Sequence, residues 1–317
     1  MQLSLSRRNF LLASASTAAL ALARPGWAAE DKKTLHKALI GTPTKQVLEA
    51  WKAVGFEGIE ATNWQASPQE AEAARKLAES LGMRIHSVLF GWAEMNAGPA
   101  GMEKNLSQIR TALRAAQAFG ADALLLVPCR IGGMKIPRPR DFDIRFDETT
   151  GHLRQVVAGD NTPYQEYMEA HNQAVDASRE GVKRLIPDAE KSGVIIALEN
   201  VWNNLWVKPD LFAHFVASFN SRWVQAYFDI GNHVKYAPPE QWIRTLGKLI
   251  VKCHVKDFRL SAVGEGDFCE IREGSVNWPA VRKALDEIGY SGWLTIEDAN
   301  LPLAELSKRL DRIIAGE

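Results

Sequence analysis

The stretch VQAYFDIGNHVKYAPPEQWIRTLGKLIVKCHV, residues 224–255, contains two short apolar runs on either side of an amphipathic segment. The runs VQAYFDI and LIVKCHV are typical of buried strands, and PPEQWIRTLG between them has the apolar spacing of a helix that ends at a glycine. Two strands that are joined through a helix run parallel to each other, with a right-handed crossover. The stretch therefore predicts one parallel β-α-β unit.

The same alternation extends over most of the chain. Apolar runs that are typical of strands occur eight times, as HKALIG, FEGIEA, RIHSVLF, ADALLLVP, GVIIALEN, VQAYFDI, LIVKCHV and GWLTIED. Eight units of this kind fit a closed (β/α)8 barrel better than an open doubly wound sheet, and no GxGxxG motif follows the first run. We therefore expect an α/β protein with a single TIM barrel domain over residues 29–317.

One connection is longer than an ordinary loop between a strand and a helix. Residues 128–163 follow the fourth predicted strand and contain FDIRFDETTGHLRQVV, in which alternating residues flank a Thr-Thr-Gly turn. This pattern predicts an inserted β-hairpin. Because it follows a barrel strand, the insertion would emerge at the C-terminal face, either as a lid or partner-contact element or as a loop without such a role.

The first 28 residues have the composition of an export leader. Arg7 and Arg8 precede an apolar region from Phe10 to Ala23 and a small-residue cleavage site near Ala28. About a dozen apolar residues are too few to span a bilayer, which argues against a stable membrane anchor. The segment SRRNFL resembles the twin-arginine signal, which implies export by the twin-arginine translocation machinery and a periplasmic or secreted protein.

Charge and cysteine content exclude several classes of protein. The chain has 38 basic and 38 acidic residues, and loss of the leader would remove three arginines and no acid. This balance gives no sign of nucleic-acid binding. Cys129, Cys253 and Cys269 are unevenly spaced and form no CxxC motif, so neither a disulfide framework nor a thiolate zinc site is expected.

Four predicted strands in succession end in a side chain that can bind a metal. These residues, on the fifth to eighth strands, are Glu199, Asp229, His254 and Glu297. In a closed barrel the C-terminal ends of neighbouring strands converge, and three carboxylates in one place repel each other unless a cation neutralises them. Oxygen donors with one imidazole suit a single divalent ion, with Mn²⁺ preferred and Mg²⁺, Co²⁺ or Zn²⁺ also accommodated.

The segments VIIALEN, FDIGN, PEQWIRTLGKLIVKCHVKDF, EGSVNWPAV and TIED resemble the sugar phosphate isomerase/epimerase family of xylose isomerase-like TIM barrels. The resemblance covers nearly the whole chain after the leader. It implies that Glu199, Asp229, His254 and Glu297 bind one divalent metal. It also implies that Glu199 and Glu297 are the catalytic pair, which exchange protons with carbons beside a substrate carbonyl through an enediolate.

Export favours an unphosphorylated keto-sugar or sugar derivative as the substrate, because phosphorylated intermediates are mostly kept in the cytoplasm. The expected activity is therefore that of a metal-dependent isomerase or epimerase. A close alternative uses the same metal and base in a lyase or dehydratase that acts on a 3-keto-glycoside or a keto-polyol. Whether the protein forms a homo-oligomer is left open.

Further residues fall near the predicted C-terminal mouth of the barrel. His86 is expected to end the third strand and Glu60 the second, where members of the resembling family place polar groups near the substrate. A purely structural role is the alternative for Glu60. The residues expected to bind substrate are His86, Trp92, Trp202, His233, Lys256 and Arg259, while Trp64 and Trp206 are expected at the same mouth and Glu60 and Asp257 are expected to support the metal ligands.

Two other functions on the same barrel fit the sequence less well. A DNA-repair endonuclease of this architecture would place a histidine at position 232 and a ligand at the end of the fourth strand, where this chain has Asn232, Pro128 and Cys129. The chain also lacks a basic surplus. A non-catalytic sugar-binding protein would not need glutamates at both positions of the proposed acid/base pair.

Overall fold

A computed structural model of the protein describes residues 34–297 and 300–317. The predicted leader, residues 1–28, lies outside the described residues. The strands are β1 Leu35–Gly41, β2 Gly58–Ala61, β3 Arg84–Trp92, β4 Ala123–Val127, β5 Arg145–Phe146, β6 Leu153–Gln155, β7 Ile195–Glu199, β8 Val224–Asp229, β9 Ile250–Val255, β10 Asp257–Leu260, β11 Gly266–Cys269 and β12 Gly292–Ile296. The helices are α1 Lys45–Ala53, α2 Pro68–Ser80, α3 Gly98–Phe119, α4 Gln165–Ser192, α5 Pro209–Ala217, α6 Pro239–Leu246, α7 Trp278–Ile288 and α8 Leu303–Ala315.

Eight of the strands form a closed parallel barrel in the order β1-β12-β9-β8-β7-β4-β3-β2. Each of the eight apolar runs contributes one of these strands, so the predicted TIM barrel is confirmed. The helices alternate with the strands along the chain. Since all strands run in one direction, their C-terminal ends meet at one face of the barrel, which is where sites are built in this fold.

Local sequence determines where the helices begin and end. Helix α2 begins with a capping box, in which Ser67 and Glu70 each bond the backbone N–H of the other. Helix α4 ends at Gly193, whose φ of 70° is left-handed and therefore suits glycine. Among the described residues, no helix is both long enough and apolar enough to cross a bilayer.

The barrel interior is partly apolar and partly polar. Ala123, Leu125, Val127, Ala197 and Tyr227 form a small apolar cluster on one side. The buried polar residues include Glu60, His86, Lys252, His254 and Thr295, and most of the remaining apolar core packs between the strands and the helices. Buried polar groups on this scale require partners, and those partners define the site described below.

The long connection after β4 contains the predicted hairpin, because β5 and β6 pair antiparallel. The hairpin is held against two outer helices. The Leu153 amide donates to Asn172 Oδ1 on α4 at 2.7 Å, and His214 Nε2 on α5 donates to the Glu148 carbonyl at 2.7 Å. Elsewhere in the insertion, Arg140 Nη2 donates to the Ala262 carbonyl at 3.3 Å.

A second hairpin, formed by β10 and β11, follows β9 directly and was not predicted from the sequence. It carries three partly exposed apolar side chains, Leu260, Val263 and Phe268. Phe258 at its base is fully buried and packs against Phe268 and Trp202. The hairpin therefore forms one wall of the C-terminal face next to His254.

Candidate metal centre

Four side chains converge at the C-terminal ends of four adjacent barrel strands. Glu199 ends β7, Asp229 ends β8, His254 lies on β9 and Glu297 directly follows β12. Each offers one ligand atom, and these four atoms all lie within 4.8 Å of one another. Three of the residues are buried, while the Glu297 side chain is 29% exposed. The residues that the sequence predicted as a ligand set are thus brought together, and metal binding by them remains a prediction.

His254 presents its two ring nitrogens to different partners. Nδ1 faces the cluster, at 3.3 Å from Glu199 Oε1, 3.9 Å from Asp229 Oδ2 and 3.7 Å from Glu297 Oε2. Nε2 faces the other way, towards Glu60 Oε2 at 2.7 Å. The Nδ1 atom is therefore the one that could share a metal ion with the three carboxylates.

Asp229 is held by the loop that follows it. The amides of Gly231 and Asn232 donate to Asp229 Oδ1 at 2.8 and 2.6 Å. Within the described part of the chain, the buried Oδ2 atom has no hydrogen-bond partner. A side chain at Gly231 would meet the Lys256 carbonyl oxygen at 2.7 Å, so the tight turn requires glycine. The loop thus orients Asp229 with one oxygen left for the cluster.

Asn200 reinforces this arrangement from the neighbouring strand. Its Oδ1 accepts from the Asp229 amide at 2.7 Å, and its Nδ2 donates to the Asp229 carbonyl at 2.8 Å. Asn232 Nδ2 donates to the Asn200 carbonyl at 3.1 Å and lies 3.4 Å from Glu199 Oε1. Both asparagines support the cluster, and sequence analysis did not identify this role. Their positions directly after Glu199 and three residues after Asp229 were the available signal.

The carboxylates of the cluster outnumber its basic groups, His254 and Lys256. Burial, together with the charge of Glu297, raises the pKa of Asp229 well above its usual value, and burial raises the pKa of Glu199. Burial opposes a charge on His254, but the adjacent carboxylates, Glu60 first, raise its pKa well above the usual value. A divalent ion relieves this repulsion and suits the donor set of three carboxylates and an imidazole. The residues present therefore fit a divalent metal.

Lys256 lies beside one of the two glutamates. Its Nζ is 2.9 Å from Glu297 Oε2 and 4.4 Å from the centre of the Phe268 ring. Although burial opposes it, the charges of His254 and Lys256 lower the pKa of Glu297 to about 2. Lys256, which was predicted to bind substrate, thus contacts the predicted catalytic carboxylate.

Two residues that were predicted to bind substrate are buried and pack against tryptophans. His86 is the third residue of β3, because the strand continues to Trp92, and its ring stacks on Trp293 at 4.5 Å. His233 stacks on Trp242 of α6 at 4.9 Å, and its Nδ1 lies 3.2 Å from Asn200 Nδ2. The contact of these two histidines with a substrate remains a prediction.

Of the tryptophans predicted at the mouth, Trp206 is also buried and stacks on Phe215 at 4.4 Å. Trp64 is partly buried and packs on Phe90 at 4.9 Å. Lys235 Nζ lies 3.4 Å and the Phe268 ring 4.8 Å from the ring centre of Trp202. The Trp202 ring is therefore in contact with two other side chains.

Trp92 remains 43% exposed at the end of β3, with the Arg130 guanidinium 4.0 Å from its ring centre. Arg259 is exposed, and its Nη2 donates to the Glu273 carbonyl at 3.1 Å. These two are the residues of the predicted substrate-binding set that the structure leaves at the surface of the C-terminal loops. Their contact with a substrate remains a prediction.

The two residues predicted to support the ligands differ in what they contact. Glu60 bonds His254, and its support of a metal ligand remains a prediction. The Asp257 carboxylate instead accepts hydrogen bonds from the segment that leads to α7. Its donors are the amides of Phe258, Arg272, Gly274 and Val276 and the indole of Trp278. Asp257 therefore organises a loop, and none of its carboxylate hydrogen bonds within residues 34–297 and 300–317 involves a cluster residue.

A model of the xylose isomerase-like TIM barrel family matches residues 48–313. One relative, an uncharacterized protein of Methanocaldococcus jannaschii, is 27% identical over 145 residues, or 44% of this chain and 48% of that protein. Another, the L-ribulose-5-phosphate 3-epimerase UlaE of Escherichia coli O1:K1, is 30% identical over 194 residues, or 59% of this chain and 64% of that protein. The match thus spans less than two thirds of either relative.

Solved structures share the fold at low sequence identity. A D-tagatose 3-epimerase-like protein has a TM-score of 0.65 at 17% identity, covering 88% of this chain and 97% of that one. The IOLI protein with a bound zinc atom has a TM-score of 0.67 at 15% identity, covering 88% and 98%. A barrel protein from Mycobacterium smegmatis in complex with magnesium has a TM-score of 0.59 at 20% identity, covering 86% and 87%.

Proposed function

Because the chain belongs to the xylose isomerase-like TIM barrel family, we propose that it is a divalent-metal-dependent isomerase or epimerase of a keto-sugar or sugar derivative. The observation that carries the proposal is the convergence of three carboxylates and one imidazole within 4.8 Å at the C-terminal face. The similarity to an L-ribulose-5-phosphate 3-epimerase supports the reaction class.

Glu199, Asp229, His254 and Glu297 would hold the metal. When bound, a divalent ion would polarise a substrate carbonyl and stabilise the negative charge that develops on its oxygen. Structures of related fold contain zinc and magnesium. The predominance of oxygen donors still favours Mn²⁺ or Mg²⁺ for this chain, and Zn²⁺ and Co²⁺ remain compatible with it.

The proton transfers are assigned to Glu199 and Glu297. The two glutamates stand on strands that are separated by β8 and β9, so they approach the centre of the face from different sides. Two carboxylates on opposite sides of a substrate can remove a proton from one face and return it to the other, which is what epimerisation requires. Lys256, at 2.9 Å from Glu297, would keep that carboxylate ionised and ready to accept a proton.

The proposed substrate is an unphosphorylated sugar. The support is the leader-like sequence of residues 1–28, which favours export through the twin-arginine pathway to the periplasm or beyond.

A nuclease is disfavoured by two positions where such an enzyme would need ligands. Asn232 is bonded to Asn200 there, and Cys129 is buried at 3.0 Å from Ser178 Oγ.

Solvent exchange tests the proposal. The protein, loaded with Mn²⁺, is incubated in deuterium oxide with a panel of keto-sugars and 3-keto-glycosides, and deuterium next to the carbonyl is measured by NMR. We expect exchange with the wild type and its loss in Glu199→Gln and Glu297→Gln. Glu265→Gln, an exposed glutamate in the turn of the β10–β11 hairpin, is the matched control and should exchange like the wild type.

The same spectra identify the product. An epimer or isomer supports the proposed reaction, whereas an unsaturated product with a released group indicates the lyase alternative, which uses the same residues. Wild-type rates of exchange in both glutamine variants, or no exchange with any sugar of the panel, would show that the proposal is wrong.

A further inference from the structure

Glu60 is a fully buried carboxylate inside the barrel, at the third position of β2. It reaches across the interior to β9, three strands further round the barrel. Its Oε2 lies 2.7 Å from His254 Nε2 and accepts from the Tyr227 hydroxyl at 2.8 Å. Glu60 therefore contacts the candidate metal centre through His254.

His254 is the basic residue closest to Glu60, and Lys252, a buried lysine paired with Asp122 at 2.6 Å, interacts with the Glu60 charge from farther away. Among the ion pairs of residues 34–297 and 300–317, His254 is its only partner, and no lysine or arginine approaches it within 4.0 Å. A buried carboxylate without a cation is strongly disfavoured. The imidazole is the basic group in direct contact with this carboxylate, and a cation bound on the far side of the ring would stabilise the pair further.

The contact also determines which nitrogen of His254 carries hydrogen. A carboxylate accepts hydrogen bonds, so the nitrogen that faces Glu60 Oε2, Nε2, must be the donor. In the neutral ring Nδ1 then keeps its lone pair, and this is the nitrogen that faces Glu199, Asp229 and Glu297. The contact with Glu60 and the direction of the cluster are thus consistent with each other.

The local backbone supports this placement. The pairing of β2 with β3 shifts between Ile59 and Glu60, so that Glu60 pairs with Ser87 and His86 is skipped. Such a bulge redirects side chains, and bulges are frequent next to active sites. Ser87 Oγ lies 3.4 Å from the Tyr227 hydroxyl, which in turn holds Glu60.

We propose that Glu60 is a positioning residue that fixes His254 as a metal ligand through Nδ1, with Tyr227 holding Glu60 in place. The inference rests on the metal site of the proposed function, but it concerns ligand geometry and affinity and does not depend on the sugar. Carboxylates that bond a metal-ligating histidine commonly raise its affinity for the metal, and their loss weakens binding about 10–100-fold.

Metal affinity tests the proposal. Metal-free protein is titrated with Zn²⁺ and with Mn²⁺ in competition with a chromophoric chelator. We expect Glu60→Ala to bind about 10–100-fold more weakly than the wild type, and Glu60→Gln, which keeps an acceptor oxygen, to lose less. Tyr227→Phe should show a smaller loss in the same direction. Circular dichroism and urea unfolding show that each variant is folded.

Glu57→Gln is the matched control. Glu57 lies three residues earlier and bonds His36 Nδ1 at 3.0 Å, so it is also a glutamate paired with a histidine but stands outside the cluster. Its removal should leave metal affinity unchanged. If Glu60→Gln and Glu60→Ala are folded and bind metal as tightly as the wild type, the proposal is wrong.

A second measurement tests the proposal even if Glu60→Ala does not fold. Two-bond nitrogen–proton NMR of zinc-loaded wild-type protein, labelled with ¹⁵N-histidine, reports which nitrogen of His254 is protonated. We expect hydrogen on Nε2 and coordination through Nδ1, and coordination through Nε2 would overturn the proposal. Neither measurement needs turnover, so a wild type that binds metal in this way without exchanging any sugar proton contradicts only the proposed function.

Discussion

Replacement of His233 by glutamine should make the protein less sensitive to mild acid. The His233 ring is buried between Asn200 and Trp242, with Nδ1 3.2 Å from Asn200 Nδ2. Burial, assisted by the charge of Lys235, lowers the pKa of His233 from 6.5 to about 3. A proton on Nδ1 would also face the donor amide of Asn200 and break that bond.

The direction of the pH effect on stability follows from the pKa of His233 in the folded and the unfolded protein. The folded pKa lies below the unfolded one, so as the pH falls the unfolded chain binds the proton first. The contribution of the neutral ring to stability is therefore complete above about pH 6.5 and is lost progressively towards about pH 3. Between about pH 7.5 and about pH 5 this single group removes about 2 kcal/mol from the free energy of unfolding.

Urea unfolding at these two pH values, in the presence of a chelator, measures the effect. The drop in unfolding free energy from the higher to the lower pH should be about 2 kcal/mol smaller in His233→Gln than in the wild type. The substitution also removes the stacking on Trp242, so the result is read from the difference between pH values. Tyr236→Phe, which alters a ring 5.2 Å from His233, is the control and should keep the wild-type drop. An equal drop in His233→Gln and the wild type would refute the reasoning.

Three further predictions concern the centre and its surroundings. Asp257→Asn should lower the free energy of unfolding in urea by about 2–4 kcal/mol, because an NH2 group replaces one oxygen of a carboxylate that accepts five hydrogen bonds. Metal affinity should stay unchanged, and a weaker metal site would contradict the role of Asp257 in the loop. In the metal-free protein, Lys256→Met should raise the pKa of Glu297 from about 2, because it removes one of the two positive charges that lower this pKa. NMR titration of the glutamate carboxyl carbons measures the shift, and an unchanged pKa would count against the contact. Removal of the metal should lower the melting temperature, since an ion at a thousandfold excess over Kd stabilises the folded protein by about 4 kcal/mol. The melting temperature of Asp229→Asn should not change with chelator. A wild type that melts at the same temperature with and without chelator would exclude a stabilising ion.

The barrel could be predicted from the sequence because each strand is a compact apolar run. In β4 every residue from Ala123 to Val127 is buried, so the run and the strand coincide. The β10–β11 hairpin was missed because no strong turn motif separates its short strands.

The convergence of the four cluster residues could be predicted because strand ends in a closed parallel barrel meet at one face. Side chains inside or beyond the strands could not be placed in this way. His86 was assigned to a strand end, although β3 runs six residues further. The loop after β8 folds back over α6 and buries His233 against Trp242. Asp257 finds most of its partners 15–21 residues later in the chain, which no local pattern indicates.

The central claim is that one divalent ion binds between Glu199, Asp229, His254 and Glu297, and a metal count tests it most directly. Metal-free protein is reconstituted with Mn²⁺ or Zn²⁺, freed of excess ion and measured by plasma mass spectrometry. The account predicts one ion per chain in the wild type, none in Asp229→Ala, and one in Asp267→Ala, which changes an exposed aspartate of β11. A wild type that retains no ion, or an Asp229→Ala variant that retains one as tightly as the wild type, would contradict it.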